Sequence, residues 1–593
     1  MPQREVLDFL VQYHIRELNW IKLVIHETTF LYRYQQWWAN HDAHSVADVE
    51  FAVLILRICT YALQFLPSQT PNHAGDTIHG MSRGDILRAC TDVADSLARA
   101  CVLLDAKGLL VRVQHLLYAA LRASCEGRTD QFWDGVVSAC RAALRAGIHM
   151  DGGAPATACY GGGEMERELN RRTFCGLYVL DSHLARQLDR TPILPDDLIT
   201  TNLPQMRFIP DLARPPPETS TSASTSTSTL PPTPAPDPIT ERVLQAQLGL
   251  FWRRHPPNPK PSPSNDGTAK TACPYDPAAA ERRHEAFVTT YLAALPACFA
   301  LAAPDPDPSM APPRLALQRR LLQIAIYDSV CWNHRGLLVL LQQQKQQQQQ
   351  QGVVGGEEGE KGERQRHHRL RLPAYKRVLL RVQKRRMARA AMRELVAVRE
   401  LHALFGGGGV QTRFAAIIFN SFEAATVLLL LLCLCGGEPD GLFDVGEGKG
   451  EGEGQGEGEG GEDAEVDAGD EILGLRWDAD GGRLTREGML RAAEEALERL
   501  RALAGVSEMA AAGVEVVASL LERAKKGAEA DQTSRELPGG ASATPVWTIP
   551  PPEDSDLDEL PDWMSRSAFG SVMPGDPNSF FGLQLHNSGF LLF

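Results

Sequence analysis

His26 and Glu27, in the string HETTF at 26–30, are the first residues in the chain with the composition of a reactive centre. A His-Glu-x-x-His helix holds zinc because imidazoles four residues apart project from one face, with the glutamate between them as general base. Here the fifth position is Phe30, whose ring donates no lone pair, and HDAH at 41–44 has the wrong spacing to replace the lost ligand. Asp181, Ser182 and His183 bring together the residue types of a nucleophilic triad, but neighbours on a helix point in different directions and cannot relay a proton. PDDLIT at 195–200 is close to the aspartate-rich motif by which helical enzymes hold magnesium; Thr200 stands where its third carboxylate belongs. DSDLDE at 554–559 opens like a calcium loop, yet Glu559 replaces the required glycine and Ser565 the bidentate glutamate. None of these strings keeps a complete reacting set. The chain reads as a non-enzyme, with neither a metal nor another cofactor expected.

The elements that would position such residues are helical. Val6, Phe9, Leu10 and Tyr13 recur at helical spacing, and FAVLILRICTYAL at 51–63 is apolar all round, as in a helix enclosed by others. Apolar stripes follow at Ile86, Leu87, Cys90, Val93, Leu97, Cys101 and Leu104, then at Leu109, Val113, Leu116, Leu117 and Ala120. EGRTD at 126–130 breaks the pattern, and a further helix from Trp133 is expected to end at Gly147 as its cap. Another runs from about Met165 to Leu188. Strand signals are nearly absent, so the expected fold is all-α: a multi-helical regulatory domain interrupted by disordered low-complexity insertions.

Net charge is −14 over 593 residues, which argues against an overall basic coat for nucleic acid. The twelve cysteines are scattered, mostly inside apolar helical patterns, as core-filling thiols are. MPQREVLDFL carries no secretory signal pattern. Residues 414–435 are long enough to cross a bilayer, but Asn420 and Glu423 interrupt the run, so a buried core helix is expected and no membrane. Compositional shifts divide the chain into helical residues 1–210, a disordered Pro/Ser/Thr-rich linker at 211–280, and further helices at 281–435 with a Gln-rich insertion at 342–372. After these come an acidic Gly/Glu spacer at 436–472, a helical pair at 473–530 opened by Thr485, and a disordered acidic-aromatic tail at 531–593.

The order of three motifs carries a resemblance. NWIKLVIHETTFLYRYQQWW at 19–38 supplies Trp20, His26, Glu27, Phe30, Tyr34 and Trp38. Gln114, Gly127, Trp133, Gly135, Gly147, His149 and Asp151 follow in sequence. ERELNRRTFCGLYVLD at 166–181 and DRTPILPDDLITTNLP at 189–204 supply Arg171, Arg172, Asp181, Arg190 and Pro192. In these the chain resembles the fungal-specific transcription factor domain, the middle homology region of fungal zinc-cluster transcription factors. The resemblance is strong over residues 3–205 and weaker over 281–435. It implies that HETTF packs a helix junction with no metal, and that the matched residues are structural. It also implies a nuclear transcriptional regulator working with the transcription machinery or a coactivator. A second copy or a zinc-cluster partner, DNA reached through a missing or partner domain, and a small-molecule effector complete the expected partners. Three departures stand out: Phe174-Cys175 replaces the usual aromatic pair, Asp189 replaces the usual glycine with Thr191 inserted before Pro192, and the six-cysteine spacing of the zinc cluster occurs nowhere in the sequence. Zinc is expected only with that cluster. The alternatives are a helical interaction scaffold or cofactor without DNA binding, and an all-α enzyme.

Two further segments bear on function. Residues 364–393 hold twelve Lys/Arg and no Asp/Glu, and within them Arg377, Lys384, Arg385 and Arg386 form a candidate nuclear-import patch. EDSDLDELPDWMSRSAFG at 553–570 keeps large apolar groups solvated among carboxylates, with Leu560, Trp563 and Phe569 as candidate activation anchors.

Overall fold

The 3.6-residue periodicity is realised as helices along nearly all of the chain that the computed structural model describes: residues 2–39, 45–66, 77–150, 163–205, 238–256, 275–301, 314–354, 373–405, 414–435, 473 and 484–535. Helix α1, Arg4–Tyr13, continues through a π turn, His14–Leu18, and a 3-10 turn, Asn19–Ile21. Then come α2 (Glu27–Ala39), α3 (Val46–Ala62), α4 (Arg83–Leu104), α5 (Leu110–Cys125), α6 (Thr129–Ala146), α7 (Glu164–Gln187) and α8 (Asp196–Thr201). The second half supplies α9 (Thr240–Arg254), α10 (Pro277–Ala286), α11 (Leu315–His334), α12 (Gly336–Val354), α13 (Ala374–Leu404), α14 (Ala415–Cys435), α15 (Arg486–Ala504) and α16 (Glu508–Arg535). The strands among the described residues are one two-residue pair, Thr77–Ile78 antiparallel to Met81–Ser82. The fold is all-α.

Helix ends follow from local chemistry. Ser45, Ser82 and Thr485 each accept a hydrogen bond from a backbone N–H three residues on, at 3.2, 3.1 and 3.0 Å, satisfying a donor that the helix start leaves over. Gly147 ends α6 at φ +74°, and the Ile148 N–H returns to the Ala143 carbonyl at 3.3 Å, the six-to-one bond of a Schellman cap. Both the Thr485 and the Gly147 assignments agree with the sequence.

Packing runs continuously through the chain. Helix α3 lies against α1, α4 and α5; α5 packs on α6; α7 packs on α6 and α9; α11 packs on α9 and α13. Helix α14 sits among α13, α15 and α16, and one hydrophobic core links all of them. Among the described residues α14 is the one helix long and apolar enough to cross a membrane, and most of it is enclosed by these neighbours. Its near-uniform apolarity is that of a helix with protein on every side.

Two expectations need correction. The span 211–280 expected to be disordered contains α9, which buries Val243, Leu244, Leu248, Phe251 and Trp252. The flanking Pro/Ser/Thr composition conceals it, but TERVLQAQLGLFWRR has an apolar face that stabilises a helix once α7 covers it. The Gln-rich insertion, expected to interrupt the helices from residue 342, instead begins inside α12, whose backbone continues to Val354. Glutamine has good intrinsic helix propensity, so a helix already nucleated by GLLVLL extends into it. The segments 355–372, 436–472 and 536–593 lie outside the described residues.

Candidate functional site

His26, Glu27 and Phe30 divide between a helix start and the core. The Nδ1 atom of His26 lies 2.8 Å from the Thr29 hydroxyl and accepts from the Thr29 N–H at 3.4 Å, while the His26 carbonyl accepts from the Phe30 N–H at 2.9 Å. Histidine thus serves as the cap at the start of α2. Glu27 is exposed in the first turn, where its charge complements the helix dipole. Phe30 is 1% exposed and packs on Phe51, with ring centres 5.4 Å apart. Beyond it Tyr34 donates to Asp8 at 2.6 Å, and the half-buried Trp38 meets Tyr34 on one side and the Arg4 guanidinium, 5.0 Å away, on the other. Trp20 lies between Phe405 and Arg314.

The turn before α2 is clamped by side chains from three other places. Leu23 takes φ +52°, so residues 22–25 cannot continue a helix and their carbonyls need other donors. Asn19 donates to the Ile25 carbonyl at 2.9 Å, Gln114 of α5 donates to the Val24 carbonyl at 2.9 Å, and Arg242 of α9 donates to the Ile21 carbonyl. Lys22, Val24, Leu117, Gly176, Val179, Leu180 and Arg242 line a crevice here with room for about one water molecule. Burial, and next the charge of Arg242, lower the Lys22 pKa well below its ordinary value. Arg242 is paired with the buried Glu241 carboxylate at 3.2 Å, and Glu241 also acts on Lys22, so the crevice is a closed charge cluster with no open cationic site.

The third motif builds the end of α7. Asp181 is fully buried and accepts from the Ile193 N–H at 3.0 Å, the Leu194 N–H at 2.9 Å and Arg253 of α9 at 2.7 Å. Arg253 also donates to the Leu194 carbonyl at 2.6 Å and to Asp196 at 3.1 Å, and Tyr178 donates to Asp196 at 2.9 Å. Asp181 and Asp196 therefore hold a loop and a helix together, and their carboxylates face cations and N–H groups. Asp189 sits at φ +50° where α7 stops, and the Arg190 N–H bonds back to the Ala185 carbonyl at 2.9 Å. This is the left-handed position of a Schellman cap, which explains why glycine is the family's usual residue there and aspartate a tolerated one. Arg190 lies over Trp133 at 5.3 Å and pairs with Asp130 at 3.2 Å, and Pro192 follows at the half-buried start of the loop. Arg171 and Arg172 pair with Glu168 at 3.2 and 2.9 Å, and His149 rests beside Phe174. Asp151 lies outside the described residues, as do Leu560, Trp563 and Phe569.

A buried charge cluster joins this motif to the second half. Arg186, near the end of α7, pairs with Asp328 of α11 at 2.5 Å, and Gln187 donates to the same carboxylate at 3.3 Å. Asp328 acts through space on Glu394 of α13 and Glu423 of α14, and Arg335 faces both Asp328 and Glu423. Burial raises all three carboxyls; Glu423 is pushed up to about 8 by burial first and Asp328 second. His183 stays neutral, because burial lowers it and Arg186 lowers it further. Nothing in the sequence pattern singled out Arg186, Asp328, Arg242 or Arg253. The available signal was a charged residue on an otherwise apolar helix face.

The candidate import patch is divided by the fold. Arg377 is exposed on α13 and Arg385 half-buried, but Lys384 and Arg386 are buried, with Arg386 bonded to Glu281 at 2.9 Å. The folded helix withholds those two, so the four do not form one accessible cluster. Among the described residues no three His, Cys, Asp or Glu side chains converge in a manner that would hold a metal ion.

The signature residues cap helices, clamp turns and seal junctions of an all-α domain, so what they define is a helical scaffold. Residues 12–208 match the fungal specific transcription factor domain, and the chain belongs to the family built on it. It is 45% identical over 525 residues, 88% of this chain and 66% of the relative, to "Transcription factor xilB" of Penicillium rubens. It is 36% identical over 433 residues, 73% of this chain and 66% of the relative, to "Probable transcription factor sol4" of Alternaria solani. The chain thus spans just under two thirds of the length of either relative. No solved structure matches it.

Proposed function

We propose that this chain is the regulatory portion of a fungal transcription factor, a non-enzymatic nuclear protein that controls transcription together with the transcription machinery or a coactivator. The observation that carries this reading is the ordered set of three signatures, Trp20 to Trp38, Gln114 to His149 and Arg171 to Pro192, around residues 12–208. Their polar groups are committed to helix ends and loop anchors, which suits a scaffold that responds to other molecules. Both relatives are named as transcription factors, which supports the same assignment. DNA contact belongs to a zinc cluster elsewhere in the protein or on a partner, and zinc belongs with that cluster.

The test tethers the full chain to an unrelated DNA-binding domain upstream of a reporter, and in parallel deletes the gene and compares transcripts. A changed reporter and a coherent set of altered transcripts, with the tagged protein in nuclei, are expected. A silent reporter with an unaltered transcriptome and cytoplasmic protein would overturn the proposal.

A further inference from the structure

Arginine recurs at every fourth position along the first half of α13, as Arg377, Arg381, Arg385, Arg389 and Arg393. Four residues of helix rise about 6 Å and turn about 40° beyond one full turn, so these side chains form a ladder about 24 Å long that winds slowly around the helix. Arg377 and Arg381 are exposed, and the next three are half-buried. Neither Arg377 nor Arg381 has a charge partner among the described residues. The described carboxylates beside this part of the bundle serve other cations: Glu281 pairs with Arg386, Glu400 with Arg320 and Glu495 with Arg399, at 2.9, 2.8 and 3.1 Å. A row of like charges about 6 Å apart repels itself unless counter-charge lies along it.

The chain brings counter-charge to the end of that ladder. Leu473 is fully buried, and its carbonyl accepts a hydrogen bond from the Tyr327 hydroxyl of α11 at 3.1 Å. The charges of Arg393, the last rung, and of Arg320 act on the same hydroxyl, so Leu473 is fixed beside the ladder. The ten residues that lead into Ile472 read EDAEVDAGDE, 462–471, with six carboxylates and no cation. Alternate residues of an extended chain repeat about every 6.8 Å, so Asp463, Glu465 and Asp467 carry their charges at nearly the pitch of the arginines. From Leu473 back to Glu465 is about 27 Å of extended chain, against about 24 Å from Arg393 back to Arg377. The start of this connection lies close by. Phe405 and Phe414 meet at the turn between α13 and α14, with ring centres 6.0 Å apart, so α14 packs back along α13 and Cys435 ends near the level of Lys384. The chain departs there, midway along the ladder, and returns at its last rung.

We propose that residues 463–471 lie along the arginine ladder of α13, and that by supplying its counter-charge they keep the chain from binding nucleic acid without regard to sequence. A row of uncovered arginines attracts phosphates, which fix a protein on a duplex but read no bases. The carboxylates of 463–471 stand where those phosphates would. Each exposed ion pair contributes little alone, but these form a network, and the segment starts from an anchor already in place at Leu473. The glycine-rich residues before 462 give it the freedom to reach.

The experiment first places amines on the ladder without changing its charge. The full chain carrying Arg381→Lys and Arg389→Lys is treated with a zero-length carboxyl-to-amine coupling reagent, and the monomer is read by mass spectrometry. Position 389 should join Asp470 or Glu471, and position 381 should join Glu465 or Asp467. About 1 M salt should suppress both products, because exposed charges are screened. The second measurement is binding to a DNA duplex of arbitrary sequence. Replacing Asp463, Glu465, Asp467, Asp470 and Glu471 by their amides should raise affinity about tenfold or more at low salt, with a steep salt dependence. Adding Arg377→Gln and Arg381→Gln to that chain should remove the gain. Amides at Glu447, Glu451, Glu453, Glu457 and Glu459 change the net charge equally and should leave binding as it was. Coupling confined to other carboxylates or to dimers would overturn the proposal. So would an absent gain in DNA binding, or equal gains from the two sets of amides. Neither readout depends on the chain's part in transcription.

Discussion

Asp189 and Glu423 are each held in a state that their side chain disfavours, and each offers a measurable consequence. Asp189 occupies the left-handed cap position at the end of α7, where a residue with a Cβ is strained, and burial also raises its carboxyl pKa. Asp189→Gly should stabilise the protein by about 1 kcal/mol, seen as a higher urea midpoint with an unchanged slope. A lower midpoint would mean that the carboxyl makes a contact worth more than the strain. Glu423, held up to about 8 against an ordinary 4.5, keeps a proton in the folded protein that the unfolded chain has lost. Between those values the folded state binds more protons, so this group's contribution is full below pH 4.5, declines as pH rises, and is gone above 8. Its neighbours Asp328, Glu394, Arg186 and Arg335 share the site, so the slope is at most about 1.4 kcal/mol per pH unit. Glu423→Gln should flatten the fall in stability across that window and gain most at its upper end. An unchanged pH profile would place the proton elsewhere in the cluster.

Helices were legible in the sequence wherever a stripe or a cap announced them, as with Ile86 to Leu104, Gly147 and Thr485. Helix α9 was not, because its neighbours are Pro/Ser/Thr-rich and its apolar face gains stability only against α7. With α9 went Arg242 and Arg253, and with them the reason for two signature positions. Gln114 and Asp181 were recognisable as motif residues, but the backbone groups they hold lie 90 and 12 to 13 residues away. Sequence spacing alone does not encode such pairings. Close packing was half-visible: Gly135 stood out as a motif residue, and the structure supplies the cause. A Cβ there would lie 2.8 Å from the Cβ of Ala120, where α6 crosses α5. Gly135→Ala should therefore cost about 1–3 kcal/mol by forcing the two helices apart. An enhanced thermal midpoint, as expected for alanine in an unconstrained helix, would contradict that close approach.

At the scale of the molecule, the matched region is not self-contained. Residues 12–208 end their buried polar network on Asp328 of α11, reached by Arg186 across 142 residues of intervening chain. Arg186→Ala removes the cation bonded directly to the buried Asp328 carboxylate, leaving Arg335 as the remaining positive charge that acts on it, and should cost about 3 kcal/mol. If the two halves share one core, unfolding followed by Trp133 fluorescence and by Trp332 fluorescence in single-tryptophan chains should shift together. Separate transitions would divide the molecule into independent units. The same pairing has a consequence during synthesis. At a translation rate of about 5–20 residues per second, Asp328 follows Arg186 by roughly 7–28 s. For that interval the nascent chain presents an unpaired arginine and the uncovered side of α7 and α9, while the ribosome is still making α10 and α11. The growing polypeptide needs shielding then, and removing cotranslational chaperones should lower its yield more than that of a protein whose N-terminal unit closes on itself.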